Sequence, residues 1–229
     1  MLVELNEKEV EMITVFRRLF MNENEVIVVD HIDKDNYTHY IGKTVKVTGN
    51  VDLRGLGLTK LPINFTEVDG DFYCSWNQLS DLVGAPVKVG RNFDCSYNKL
   101  TSLEGGPKEV VYDFDCSRNP LTSLKGAPEK VGGNFNCSFN QLTDLVGAPK
   151  KVGENFNCGN NKLTSLEGAP TKVGRDFYCS CNELTDLVGA PKEVGGTVDC
   201  SHNQLTSLEG APVKVGGSFW CGNGIASRL

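Results

Sequence analysis

Phe93-Asp94-Cys95-Ser96-Tyr97-Asn98-Lys99-Leu100 returns 21 residues later as Phe114-Asp115-Cys116-Ser117-Arg118-Asn119-Pro120-Leu121. The same interval runs through most of the chain. Cysteine recurs at Cys74, Cys95, Cys116, Cys137, Cys158, Cys179, Cys200 and Cys221, and Cys181 alone is out of step. Phenylalanine precedes each of these cysteines by two, from Phe72 to Phe219, with Val198 substituting once. Asparagine follows by three (Asn77 to Asn203), and leucine by five (Leu79 to Leu205) and by eight (Leu82 to Leu229). A Gly-Ala-Pro step comes next, as in Gly84-Ala85-Pro86, and a valine closes the unit, from Val89 to Val215. Val47, Val51, Leu53, Leu58, Leu61 and Val68 continue the register upstream in degraded form. The repeat therefore begins near residue 45 and makes about nine turns, the last of them incomplete, with Gly224 in the asparagine slot. A fixed period of this length is the signature of a solenoid, in which each turn buries its apolar side against its neighbours.

Each column has a physical reading. Phe-x-Cys has period two, so both side chains point to one side of a short strand, and successive strands stack at ~4.8 Å into a parallel sheet. Cysteine suits a narrow core slot because it behaves as a small hydrophobe. The asparagine amide is expected to bond the backbone of a neighbouring turn. The leucines and valine fill the remaining core, and Gly-Ala-Pro bends the return segment.

These residues resemble the leucine-rich repeat family, whose core reads L-x-x-L-x-L-x-x-N-x-L. Strings such as Asn140-Gln141-Leu142-Thr143 look like the short repeats of bacterial effector proteins, and the Cys and Gly-Ala-Pro version is similar to repeats of phage proteins. The resemblance covers roughly residues 45–229. One departure is the slot three before the phenylalanine, where the family has leucine and only Val111 is apolar here. The resemblance implies a right-handed, curved solenoid with little helix, binding a protein partner. More narrowly, it implies a phage-type inhibitor of a host defence or regulatory protein, acting in the host cytoplasm.

Residues 1–44 lie outside the repeat and read as a small α/β cap. Asn6 with Glu9, then Val10, Ile13, Phe16 and Phe20 at helical spacing, predict an amphipathic helix over 6–21. Val26-Ile27-Val28-Val29 and Tyr40-Ile41 with Val45 and Val47 predict strands. Such a cap would cover the first turn's apolar end.

The net charge of −6 argues against nucleic acid, which needs a basic footprint. No apolar run approaches the ~20 residues that cross a bilayer. The first residues lack the basic start and apolar stretch of an export signal, so reduced cysteines in a cytoplasm are expected. The three histidines have no nucleophile context, and the glycines follow the repeat rather than a phosphate loop. No enzymatic activity, cofactor or metal is expected. The cysteines would lie along a line, whereas zinc needs ligands converging on a point.

If Phe and Cys face inward, the residue between them faces outward: Tyr73, Asp94, Asp115, Asn136, Asn157, Tyr178, Asp199, Trp220. Two after each cysteine come Trp76, Tyr97, Arg118, Phe139, Asn160, Cys181, His202 and Asn223. Two before the phenylalanine (or Val198) stand Gly70, Arg91, Tyr112, Gly133, Glu154, Arg175, Gly196 and Gly217. These columns vary while the core columns hold, so packing does not dictate them. Aromatic residues and arginine dominate interface hot spots, and a contiguous exposed aromatic row signals a partner. The candidate partner-binding set is Tyr73, Trp76, Arg91, Asp94, Tyr97, Tyr112, Asp115, Arg118, Phe139, Arg175, Tyr178, His202 and Trp220. A second column (Asp71, Asn92, Asp113, Asn134, Asn155, Asp176) is read as a further outward ladder whose oxygens suit either a basic surface or Ca²⁺. The C-terminal turn leaves Phe219, Cys221 and Leu229 weakly covered, an end that would favour an end-to-end homodimer. Cys181 should be the exposed thiol.

Overall fold

The computed structural model describes residues 25–222. The predicted helix over 6–21 and the end of the last turn, including Asn223, Gly224 and Leu229, lie outside the described residues, and with them the question of what covers the C-terminal end. Within them the chain is a parallel β solenoid with almost no helix, built from two sheets rather than the single sheet expected.

The first sheet contains the expected strands. It has nine strands, from Val51–Asp52 and Phe72–Tyr73 through to Phe219–Trp220. Every pairing is parallel and in strict register, Phe93 opposite Phe114 and Phe114 opposite Phe135. Phenylalanine and cysteine point inward and are buried from Phe72 to Cys200, and the residue between them is half-buried; in the last turn Phe219 is half-buried and Trp220 is exposed. The rings stack face to face from Phe72 to Phe177, with centroids 5.2, 5.5, 5.2, 5.3 and 5.9 Å apart. Each buried ring is worth roughly 1.5–3 kcal/mol in transfer free energy, and none could be buried by its own turn alone.

The second sheet, of ten strands, is built on the valine column. It starts with β1 (Ile27–Val29) and β2 (Thr44–Val47); β3 (Val51–Asp52) belongs to the first sheet and β4 (Asn64–Val68) returns to the second. Later turns each add a two-residue strand, from Lys88–Val89 to Lys214–Val215. Ile27 pairs with Val45, and Ile32 forms an isolated bridge to Val51, so the ladder continues upstream of residue 45 into both sheets. Residues 26–29 thus contain a strand as read from the sequence. The second strand holds Val45 and Val47 as read but starts only at Thr44; Tyr40-Ile41 lies outside it, and Tyr37–Tyr40 forms a short 3₁₀ helix.

Two side-chain ladders tie the turns together. The asparagine amide at Asn98 accepts the N–H of Leu79 and donates to the carbonyls of Cys74, Cys95 and Ser96, at 2.9, 3.0, 3.1 and 3.2 Å. Asn77 to Asn203 repeat this pattern, so buried backbone groups at the bend find partners. The second ladder corrects the sequence reading. Asp71 Oδ1 accepts the N–H of Asn92, Asn92 that of Asp113, Asp113 that of Asn134, and the chain continues through Asn155 and Asp176 to Thr197. These oxygens are cross-turn backbone acceptors, not a free outward array. In the return segment, Ala85 N–H bonds the Leu82 carbonyl at 2.9 Å with Gly84 at φ +94°, the third turn position that favours glycine.

Candidate binding face

The outward column of the phenylalanine sheet is flanked by two others. The bend before the strand carries Arg91, Tyr112 and Arg175, all exposed, with Tyr112 at 55%. The bend after it carries the residues two beyond each cysteine.

The bend after the strand has a conformation the sequence did not reveal. Trp76, Tyr97, Arg118, Phe139, Asn160, Cys181 and His202 all have positive φ, between 51 and 57°. Left-handed backbone costs an L-residue roughly 1–2 kcal/mol, and asparagine or glycine bears it best. Asn160 is the residue such a turn asks for. Trp76, Tyr97, Arg118 and Phe139 are not, and neither backbone nor core accounts for them.

These four form one continuous row. The Trp76 and Tyr97 rings stack at 3.8 Å with 13° between planes. The Arg118 guanidinium lies 5.0 Å from the Tyr97 centroid and 4.1 Å from that of Phe139, a cation–π bridge on both sides. Mutual stacking covers only part of the surface: Trp76 remains 61% exposed and Phe139 44%. His202 lies three turns beyond Phe139, with Asn160 and Cys181 between them.

On the outward column, Asp94 is held by its own turn and Asp115 by its own turn and the next. Asp94 Oδ1 accepts the Ser96 N–H and hydroxyl at 2.9 and 2.6 Å, and Asp115 accepts the Ser117 N–H and the Asn136 amide at 2.8 and 3.0 Å. Burial, the largest effect, pushes the Asp115 carboxyl up. In both columns Oδ1 of the aspartate and asparagine side chains accepts a hydrogen bond from the fold. Tyr73 lies under Arg54, whose guanidinium is 4.8 Å from the ring and is fixed by Asp52. The sequence reading missed Arg54 because its turn lacks the phenylalanine and cysteine that mark the others.

Tyr178 donates to Asp176 at 2.9 Å, and burial, then that carboxylate, raises its pKa. Tyr178, Asp199 and Trp220 line a shallow cleft, and Arg175 approaches Glu154 at 3.8 Å. The candidates thus fall into two groups. Tyr73 to Phe139 form the larger, and Arg175, Tyr178, His202 and Trp220 the smaller. The asparagine-rich stretch around Asn155, Asn157, Asn160 and Asn161 separates them.

The fold and face define a repeat protein: a parallel β solenoid with leucine-rich-type turns and a structured aromatic edge. No protein-family model and no curated protein matches the chain. Among solved structures it is similar to YopM from Yersinia enterocolitica WA-314, with a TM-score of 0.42 and 16% identity, over 78% of this chain. It spans 58% of that chain.

Proposed function

We propose that the chain is a non-catalytic protein-interaction module that binds its partner through the aromatic edge and outer face of the phenylalanine sheet. The supporting observation is the row Trp76–Tyr97–Arg118–Phe139: large, exposed side chains held at left-handed positions that asparagine fills at lower cost. Stacking preorders them, which lowers the entropy lost on binding. Trp76→Asn with Phe139→Asn tests this without straining the backbone. Capture from extracts of the source cells should yield a partner with wild type and lose it with the double variant, while the variant's melting temperature stays level or rises. A partner retained by the folded double variant would overturn the assignment to this edge.

The narrower reading is an inhibitor of phage type acting on a host defence or regulatory protein in the host cytoplasm. It is supported by the resemblance of the repeat alone. Co-expression with candidate defence systems should rescue a sensitive phage, and the double variant should not.

A further inference from the structure

The valine sheet carries one outward side chain per turn just before the valine. The row reads Lys46, Glu67, Lys88, Glu109, Lys130, Lys151, Lys172, Glu193, Lys214. Up to Lys130 the sign alternates, and the register sets opposite charges on facing rungs: Glu67 with Lys88, Lys88 with Glu109, Glu109 with Lys130. Lys46 Nζ bonds Glu67 at 2.7 Å. At the other end Lys172 meets Glu193 at 3.0 Å, and Glu193 faces Lys214. Opposite charges across a rung stabilise a sheet and like charges weaken it.

The alternation breaks in the middle. Val131 pairs with Val152 and Lys151 with Lys172, so Lys130, Lys151 and Lys172 stand on three consecutive rungs. Lys150 adds a fourth ammonium beside them. Among the described residues, no ion pair involves Lys130, Lys150 or Lys151. All four lysines line one groove of about 610 Å³, bordered by Gly132, Gly153 and Gly174 and ending at Val111. Glu109 faces Lys130 at one end and Glu193 follows Lys172 at the other, while Glu129 stands beside Lys130 on its own rung, in the slot that Lys150 fills one turn later.

We infer that this groove binds a short carboxylate-rich segment of a partner protein. Its cationic run is brief: two rung spacings of ~4.8 Å separate Lys130 from Lys172, the reach of three to four extended residues at ~3.3 Å each. Carboxylates at both ends and a net charge of −6 repel a longer polyanion such as a nucleic acid. A clustered patch in an acidic chain steers and holds an acidic segment by complementarity. The groove lies on the valine sheet, away from the aromatic row, and stands or falls separately from it.

Fluorescence anisotropy with labelled hexaglutamate and hexaglutamine tests the inference. Wild type should bind hexaglutamate and not hexaglutamine. Lys151→Glu restores the alternation, so it should weaken hexaglutamate binding by about tenfold or more while melting no lower than wild type. Lys151→Gln should fall between, which covers a failure of the first variant to fold. Lys162→Glu, the same charge change outside the groove, should leave binding intact. Equal binding of the two peptides, an equal loss in Lys162→Glu, or tighter binding of an oligothymidylate of matched charge would each overturn the proposal.

Discussion

Asp115 and Asn136 occupy the same position in adjacent turns, yet only the first has a charge to bury. Burial raises the Asp115 pKa above the ordinary 3.8, so the folded chain holds that proton more tightly than the unfolded chain. By linkage, the site's contribution is most favourable below about pH 3.8 and is lost as pH rises through the folded value. Asp115→Asn removes this loss. Denaturant melts should show the difference between variant and wild type shifting in the variant's favour from about pH 3 to about pH 7. A difference that stays flat with pH would show the carboxylate to be as well solvated folded as unfolded. At this scale the sequence was legible wherever a side chain had one job. The Asn77-to-Asn203 amides bond where the spacing implied. The Asp71 column was misread because an acceptor for a neighbouring N–H and a free surface carboxylate look alike in sequence. The left-handed turn was hidden because tryptophan, tyrosine and arginine occupy places where asparagine would have announced it.

The two-residue strands have no stability of their own; each is fixed by the rung on either side. Phe135 is the fourth of the six stacked rings, between Phe114 and Phe156 at 5.2 and 5.3 Å. Phe135→Ala should cost about 3–5 kcal/mol through the cavity it leaves. Because each turn touches only its neighbours, the damage should also uncouple the two halves. Native-state hydrogen exchange is expected to show amides of residues 45–110 and 160–215 opening with separate free energies, where wild type opens them more nearly together. A single cooperative transition in the variant would show longer-range coupling than a solenoid allows. Phe-x-Cys announced the first sheet through its period of two. The second escaped because its strands pair a valine with a lysine or glutamate, too short a unit for alternation to register, and only the repeat stacks them into ten strands.

Taken whole, the molecule is a long core inside a polar sleeve. Eight cysteines are buried within it, and Cys181 alone is exposed. Burial raises the pKa of the seven in-register thiols from Cys74 to Cys200, that of Cys200 to about 12, so at neutral pH these are protonated and shielded. A native thiol titration should count one fast-reacting group, none in Cys181→Ser, and nine after unfolding. Fast labelling of several would mean that the core opens readily. The bonds that join one turn to the next are the same at nearly every junction. The asparagine of one turn meets the leucine N–H of the turn before, and the aspartate or asparagine ahead of the phenylalanine meets the N–H of the turn after. A deleted or duplicated repeat therefore leaves the flanking turns with partners they already recognise, whereas the gain or loss of a single residue misaligns the rung where it falls. Length is thus the property of this protein most open to inheritance by steps. A lineage can lengthen or shorten the reach of its recognition row one turn at a time without having to reinvent the fold.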